Sequence, residues 1–308
     1  MAASLWMLFA AFAFSVMGAC VKLASSTYSI SEIVMYRGLI GVILLFLLVR
    51  HRGGSFRTKV AGAHLWRGAV GVVSLWLWFY GISKLPLATA VTLNYMSPIW
   101  MAAFLFCAGW WHSKDHVEWP LVGAILLSFV GVTLVLQPTF ESKQWLGAIT
   151  TLCSGMISAA AYLQVRKLSQ LGEPEYRIVF YFSLMNLLAG LAGSAATVAD
   201  PAVDTWHTLD LRGAAILLTM GISAALAQMA MTRAYGTGKT LVIANLQYTG
   251  IVFSSIWSML LWDDRFDWHV WLGMGVILAS GLAVTYYNTR STDRGVAVDK
   301  TDPIASET

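Results

Sequence analysis

Residues 88–100 read ATAVTLNYMSPIW, an apolar stretch holding two groups that hydrocarbon leaves unsatisfied. Asn94 carries an amide that needs partners, and Pro98 removes a backbone donor and crowds the carbonyl one turn back. A second stretch, ANLQYTG, sets Asn245 and Gln247 beside Gly250 in similarly apolar company. Amides and broken backbone at membrane depth are tolerated where they are buried in protein or line a wet cavity. The competing role for Asn94 and Gln247 is to join helices by hydrogen bonds, at about 1 kcal/mol each.

Arg37, in SEIVMYRGLIG, lies five residues past Glu32. A central arginine costs at least about 2.5–3.5 kcal/mol to insert. It either meets a solute carboxylate or snorkels outward to pair with Glu32. Trp76, Trp78, Tyr80, Tyr95, Tyr162, Tyr235 and Tyr248 add aromatic surface near the polar stretches. Amides and hydroxyls inside aromatic walls suit a zwitterion or a planar heterocycle. Trp76 and Trp78 point about 200° apart on a helix, so at least one of them faces lipid or a neighbouring helix. The candidate solute pathway is Arg37, Trp76, Tyr80, Asn94, Tyr95, Pro98, Tyr162, Gln228, Asn245, Gln247 and Tyr248.

Bond-making chemistry has a weaker case. His112, Asp115, His116 and Glu118 in WHSKDHVE could bring two histidines onto one helical turn around a metal, but the stretch is more economically a solvated loop. Cys20, Cys107 and Cys153 fall in apolar stretches without metal-ligand spacing and read as small packing residues. No catalytic residue, metal site or cofactor is expected. Beyond Glu32 near an edge, no Asp, Glu or His falls deep in an apolar span, so proton exchange through a mid-membrane carboxylate has no obvious donor.

The elements that must position these residues follow from composition. Of the 308 residues, 57% are hydrophobic and 12% charged, against about 25% charged in a soluble domain. Apolar residues run in blocks long enough for helices that cross about 30 Å of hydrocarbon. Ten spans are expected, near 4–24, 32–49, 65–83, 87–110, 119–137, 145–165, 176–198, 212–235, 240–262 and 269–288. The fold class is an all-α polytopic membrane protein, with a mobile polar tail over 289–308. The first span could pass for a signal peptide, yet no positive charge precedes it and its apolar run is long, so it is expected to be retained. Placing the N-terminus in the cytoplasm puts fourteen Lys and Arg on the inner side, Arg67 among them, and five outside. Both termini are therefore expected inside. The net charge of +4 is a topology signal and not a nucleic-acid footprint.

The second half echoes the first. RGA at Arg67–Ala69 returns at Arg212–Ala214, YGISK at Tyr80–Lys84 as YGTGK at Tyr235–Lys239, and LNY at Leu93–Tyr95 as LQY at Leu246–Tyr248. Five spans per half make the halves enter the membrane in opposite directions, one repeat over 1–140 and a second over 141–288. Inverted repeats are typical of secondary transporters, with substrate near the midplane where the repeats meet. Spans four and nine are expected to face each other there.

These features resemble the ten-helix EamA-type transporters of the drug/metabolite transporter superfamily. The likeness covers about residues 4–288 and rests on the two five-helix halves, Arg37, the LNYMSPIW segment, and the glycine-spaced fifth and tenth spans. LLWDDRF departs slightly from the pattern, offering Asp263 and Asp264 where an acidic residue usually closes the ninth helix. The resemblance implies a carrier for small organic metabolites, often amino acids or their derivatives, with export weighted over import and without an ATPase subunit. Uptake of S-adenosylmethionine or riboflavin, or export of an opine-type metallophore, would use the same pathway. The implied partners are a small-molecule substrate and the lipid bilayer of a bacterial inner membrane, with no nucleic acid, the carrier acting as a monomer or homodimer. A membrane enzyme and a channel are the rivals from other classes; neither a catalytic constellation nor a carbonyl filter is visible.

Overall fold

The computed structural model describes residues 2–85, 87–112, 119–136, 145–198, 207–263, 265, 267–276, 278–280 and 283. Among the described residues the elements are helices joined by turns, with no strand. In chain order they are α1 (Ala2–Ala24), α2 (Ile30–Arg52), α3 (Ala61–Lys84), α4 (Leu87–Asn94), α5 (Ser97–His112), α6 (Trp119–Leu136), α7 (Trp145–Gln170), α8 (Glu175–Val198), α9 (Leu211–Thr237), α10 (Thr240–Leu246) and α11 (Thr249–Trp262). Further helical residues follow at 268–276 and 278–280.

Local signals explain the ends. Ser29 caps α2 with its side chain on the Glu32 N–H, while the Glu32 carboxylate takes the Ser29 N–H, the reciprocal pairing of a capping box. The same helix stops at Gly53, whose φ of 69° is open to glycine at no steric cost. Asp210 caps α9 by accepting from the Gly213 N–H at 2.8 Å. Asp263, at φ 54°, closes α11.

Six helices, α1, α2, α3, α7, α8 and α9, are long and apolar enough to cross a membrane. Leu5, Phe9, Phe46, Leu47, Leu218 and Leu260 stand exposed on outward faces, as helices surrounded by lipid require. The protein is a multi-pass helical membrane protein. Its helices pair across the chain: α1 on α9, α2 on α8 and α3 on α7. Glycines allow the close approach of α2 and α8. A Cβ on Gly190 would sit 2.5 Å from the Met35 nitrogen, and one on Gly38 would strike the Leu187 backbone.

The expected spans 87–110 and 240–262 are not continuous helices. The first divides at Tyr95–Met96 and the second at Gln247–Tyr248, within one residue of each other in the LNY and LQY echoes. At each break the backbone bonds tighten to three residues: Met96 N to Leu93 O, Ile99 N to Met96 O, Tyr248 N to Asn245 O, and Gly250 N to Gln247 O. Pro98, which has no N–H to give, fits the looser first turn of α5. Helix α3 also begins four residues before the expected start near 65, taking in His64.

Residues 113–118 lie outside the described residues, so the proposed Asp115, His116 and Glu118 cluster does too. So do Asp264 and the tail at 289–308. No group of metal-binding side chains occurs among the described residues, and Cys20, Cys107 and Cys153 are free thiols.

Candidate functional site

A cavity lies where α1, α2, α3, α7, α8 and α9 meet the two helix breaks. Its walls are Phe14, Met17, Arg37, Arg67, Gly71, Ser74, Leu75, Trp78, Asn94, Tyr95, Ser158, Ala161, Tyr162, Phe182, Gln228 and Gln247. The free volume is about 40 Å³, far below the roughly 300–1,000 Å³ of a ligand pocket. This conformation is therefore contracted around the site.

Helix α3 supplies a full stripe. Arg67, Gly71, Ser74 and Trp78 recur at intervals of three and four and share one face. The Ser74 hydroxyl lies 2.6 Å from the Ser158 hydroxyl, and the Ser154 hydroxyl donates to the Ser74 carbonyl at 2.7 Å. Asn94 then donates from Nδ2 to the Ser154 hydroxyl at 2.8 Å, which holds the end of α4 against α7. Gly155 makes this approach feasible, because a Cβ there would come within 2.7 Å of the Asn94 carbonyl oxygen.

The second break is held differently. Gln247 donates from Nε2 to the Tyr162 hydroxyl at 3.2 Å, and the Tyr235 hydroxyl donates to its Oε1 at 3.4 Å. Tyr162 and Tyr235 stack with ring centres 5.6 Å apart. Tyr95 reaches across to the second half, where a Cβ on Gly250 would meet its hydroxyl at 2.5 Å.

Two arginines complete the cavity. Arg37 and Arg67 are each 3% exposed, and their guanidinium carbons lie 5.1 Å and 3.8 Å from the centre of the Phe182 ring. Arg67 Nη2 donates to Gln228 Oε1 at 3.3 Å, while its Nε and Nη1 and the Arg37 Nε have no partner among the described residues. Arg37 does not reach outward to Glu32. That carboxylate takes the Ser29 N–H at 2.7 Å, the His207 N–H at 2.9 Å, and faces His207 Nδ1 at 3.0 Å.

Of the sequence candidates, Arg37, Asn94, Tyr95, Tyr162, Gln228 and Gln247 line the cavity. Trp76, Tyr80, Pro98, Asn245 and Tyr248 do not. Trp76 turns away from Trp78 and packs its indole where Gly193 of α8 lacks a side chain. Tyr80 lies beneath the Lys84 ammonium at 5.9 Å. Pro98 and Asn245 are buried in the broken helices, and Tyr248 is fully buried at the second break. Arg67 is the main residue that sequence reasoning missed. Counted there as an inner-side topology charge, it sits inside α3; its stripe with Gly71, Ser74 and Trp78 was the available signal.

A second cluster lies outside the cavity. Glu173 accepts from the Thr58 hydroxyl at 2.7 Å and from Arg177 Nη1 at 3.0 Å, and meets His64 Nε2 at 3.1 Å. Burial raises the Glu173 carboxyl, but these bonds outweigh it and hold its pKa below the ordinary carboxylate value. His64, 3% exposed, is a buried titratable residue within a helix that the expected span boundaries had left outside.

Residues 1–137 match the model of the EamA-like transporter family. The pseudopaline exporter CntI of Pseudomonas aeruginosa (strain UCBPP-PA14) is 31% identical over 278 residues, 90% of this chain and 93% of that protein. A riboflavin transporter of Vibrio cholerae is 25% identical over 299 residues, 94% of this chain and 95% of its own. An S-adenosylmethionine uptake transporter of Rickettsia bellii is 19% identical over 255 residues, 83% of each chain. One solved crystal structure superposes with a TM-score of 0.73 at 16% identity, over 92% of this chain and 98% of that one, a likeness of fold.

Proposed function

Because this chain belongs to the EamA-like transporter family, and so is a multi-pass membrane carrier of a small organic metabolite and not an enzyme, we propose that it exports an amino acid or amino-acid derivative by alternating access. The observation that carries this reading is the cavity itself. Two of its three amides, Asn94 and Gln247, come from matching echoes in two broken helices, the arrangement by which discontinuous helices form midplane sites.

Ten spans in two inverted halves, 1–140 and 141–288, form the carrier, with both termini and the tail at 289–308 in the cytoplasm of a bacterial inner membrane. The helix pairings support this symmetry. If α1, α2 and α3 correspond to α7, α8 and α9, then the α1–α9 and α3–α7 pairs are equivalents, and α2–α8 maps onto itself. Asn94, Gln247, Tyr95, Tyr162, Gln228 and Arg37 form the solute site. The exporter name of the 31% identical relative supports the outward direction. No ATPase subunit is required, and the carrier works as a monomer or homodimer.

The test is sidedness. In a chain with Cys20, Cys107 and Cys153 replaced by alanine, Ser158→Cys places one thiol in the cavity. A membrane-impermeant thiol reagent should label it from both sides of oriented vesicles, in proportions that shift with conformation. Labelling from neither side would refute alternating access at this cavity.

A further inference from the structure

We propose that the cavity binds its solute as an organic dianion, with Arg37 and Arg67 each taking one carboxylate; this rests on the reading of the cavity as the solute site.

The argument is one of missing countercharge. Arg37 and Arg67 lie on different helices, are almost fully buried, and share one aromatic ring between them. Neither forms an ion pair among the described residues. Among the described residues, the cavity lining contains no Asp, Glu or His. Glu32, the acid nearest to Arg37 along α2, is already held by Ser29 and His207. What the protein does supply is weak: a neutral amide oxygen from Gln228 and the face of Phe182 as a cation–π partner. Such contacts do not repay the penalty of removing a charge from water, which persists even after relaxation. Two such groups facing one hollow also repel each other.

A ligand with two carboxylates answers both deficits. Each guanidinium has a planar fork suited to one carboxylate. Both residues keep donors without a partner among the described residues: Nε of Arg37, and Nε and Nη1 of Arg67. The remaining walls describe the rest of the molecule. Asn94, Gln247, Ser74 and Tyr162 offer amides and hydroxyls for a backbone amine or hydroxyl, and Trp78, Tyr95 and Phe182 offer apolar faces. The class is therefore a small amino- or hydroxy-substituted dicarboxylate. A sulfonium or other cationic solute would add to the charge the cavity already holds.

The experiment measures thermal stabilisation of the purified full-length protein in nanodiscs of zwitterionic phosphatidylcholine. The probes are L-glutamate and the straight-chain dicarboxylates from succinate to suberate, with L-glutamine and cadaverine as charge controls. The proposal expects at least one dicarboxylate to raise Tm by several degrees where glutamine and cadaverine do not. That shift should disappear in Arg37→Gln and in Arg67→Gln, and partly return in each Lys variant. Stabilisation by glutamine or cadaverine equal to that by the dianions would overturn it, as would a dicarboxylate shift that survives both Gln substitutions. No stabilisation by any dianion would overturn it too, as would a shift produced by added phosphatidylglycerol and by no dicarboxylate, which would assign the pair to a lipid headgroup. Thiol accessibility of Ser158→Cys reports on the carrier reading separately, so a carrier that alternates yet ignores dianions refutes only the solute class.

Discussion

Glu32 and His207 meet at 3.0 Å and tie the first turn of α2 to the segment that leads into α9. Glu173 and His64 meet at 3.1 Å and tie the start of α8 to the start of α3. The 23 residues of α2 separate Glu32 from the end of the bundle where α3 begins, so the two pairs clasp opposite ends. In both pairs the glutamate lies at the start of α2 or just before α8, and the histidine lies just before α9 or in the first turn of α3. Under the alternating-access proposal, each clasp sits at an end of the bundle that has to open.

Breaking one clasp should therefore favour opening at its own end. Glu32→Gln and Glu173→Gln are expected to shift labelling of the Ser158→Cys thiol in opposite directions between right-side-out and inverted vesicles. Equal shifts in the same direction would show that the pairs act only on general stability.

The Glu173 clasp also predicts an acid limit. Its folded-state pKa is depressed by Thr58, Arg177 and His64 against the effect of burial, so the unfolded chain binds the proton more readily. The resulting stabilisation is complete above the unfolded value, about 4.3 for glutamate, and is lost as pH falls through the lower folded value. At pH 7, Glu173→Gln should cost about 1.5–3 kcal/mol, the scale of hydrogen bonds to a charged group. Thermal unfolding in detergent from pH 7 downward should show the gap between wild type and variant narrowing once pH falls below the unfolded value of about 4.3. A constant gap across that range would contradict the linkage.

Asn94 and Gln247 are expected to matter for function more than for folding. Asn94 gives one donor bond to Ser154, whose own hydroxyl remains bonded to the Ser74 carbonyl when Asn94 is lost. Asn94→Leu should cost about 1 kcal/mol of stability while lowering solute movement at least tenfold. Membrane yield, melting temperature and transport rate, measured on the same preparation, separate the two effects.

Gly155 sets how closely α7 approaches the first helix break. A larger residue meets backbone oxygens of Leu93 and Asn94 at 3.0 and 2.7 Å, and these cannot rotate away as a side chain would. Gly155→Val should push α7 off the break, lower Tm by several degrees and cut membrane yield. Gly62, whose Cβ would meet nothing, is the matched control, and Gly62→Val should leave both unchanged.

Much of the architecture is visible in local composition, because lipid imposes it residue by residue. The helices follow the apolar blocks, and the amides that look misplaced in ATAVTLNYMSPIW and ANLQYTG do mark the helix breaks. What pattern alone could not supply is rotation and register. Trp76 and Trp78 are equally plausible until α8 presents Gly193 as the seat for Trp76. Arg67 looks like an ordinary charge at a span end until α3 begins at Ala61 and carries it inside. The two Glu–His clasps join residues 175 and 109 positions apart, and no local window connects such partners.

The central claim is that the amide-bearing cavity carries a metabolite across the membrane. Its most direct test is untargeted mass spectrometry of cytosol and medium from matched cells expressing the intact protein or an Asn94→Leu, Gln247→Leu variant shown to reach the membrane. The account predicts a metabolite enriched in the medium and depleted from the cytosol only with the intact protein. Identical profiles from both cell lines would contradict it.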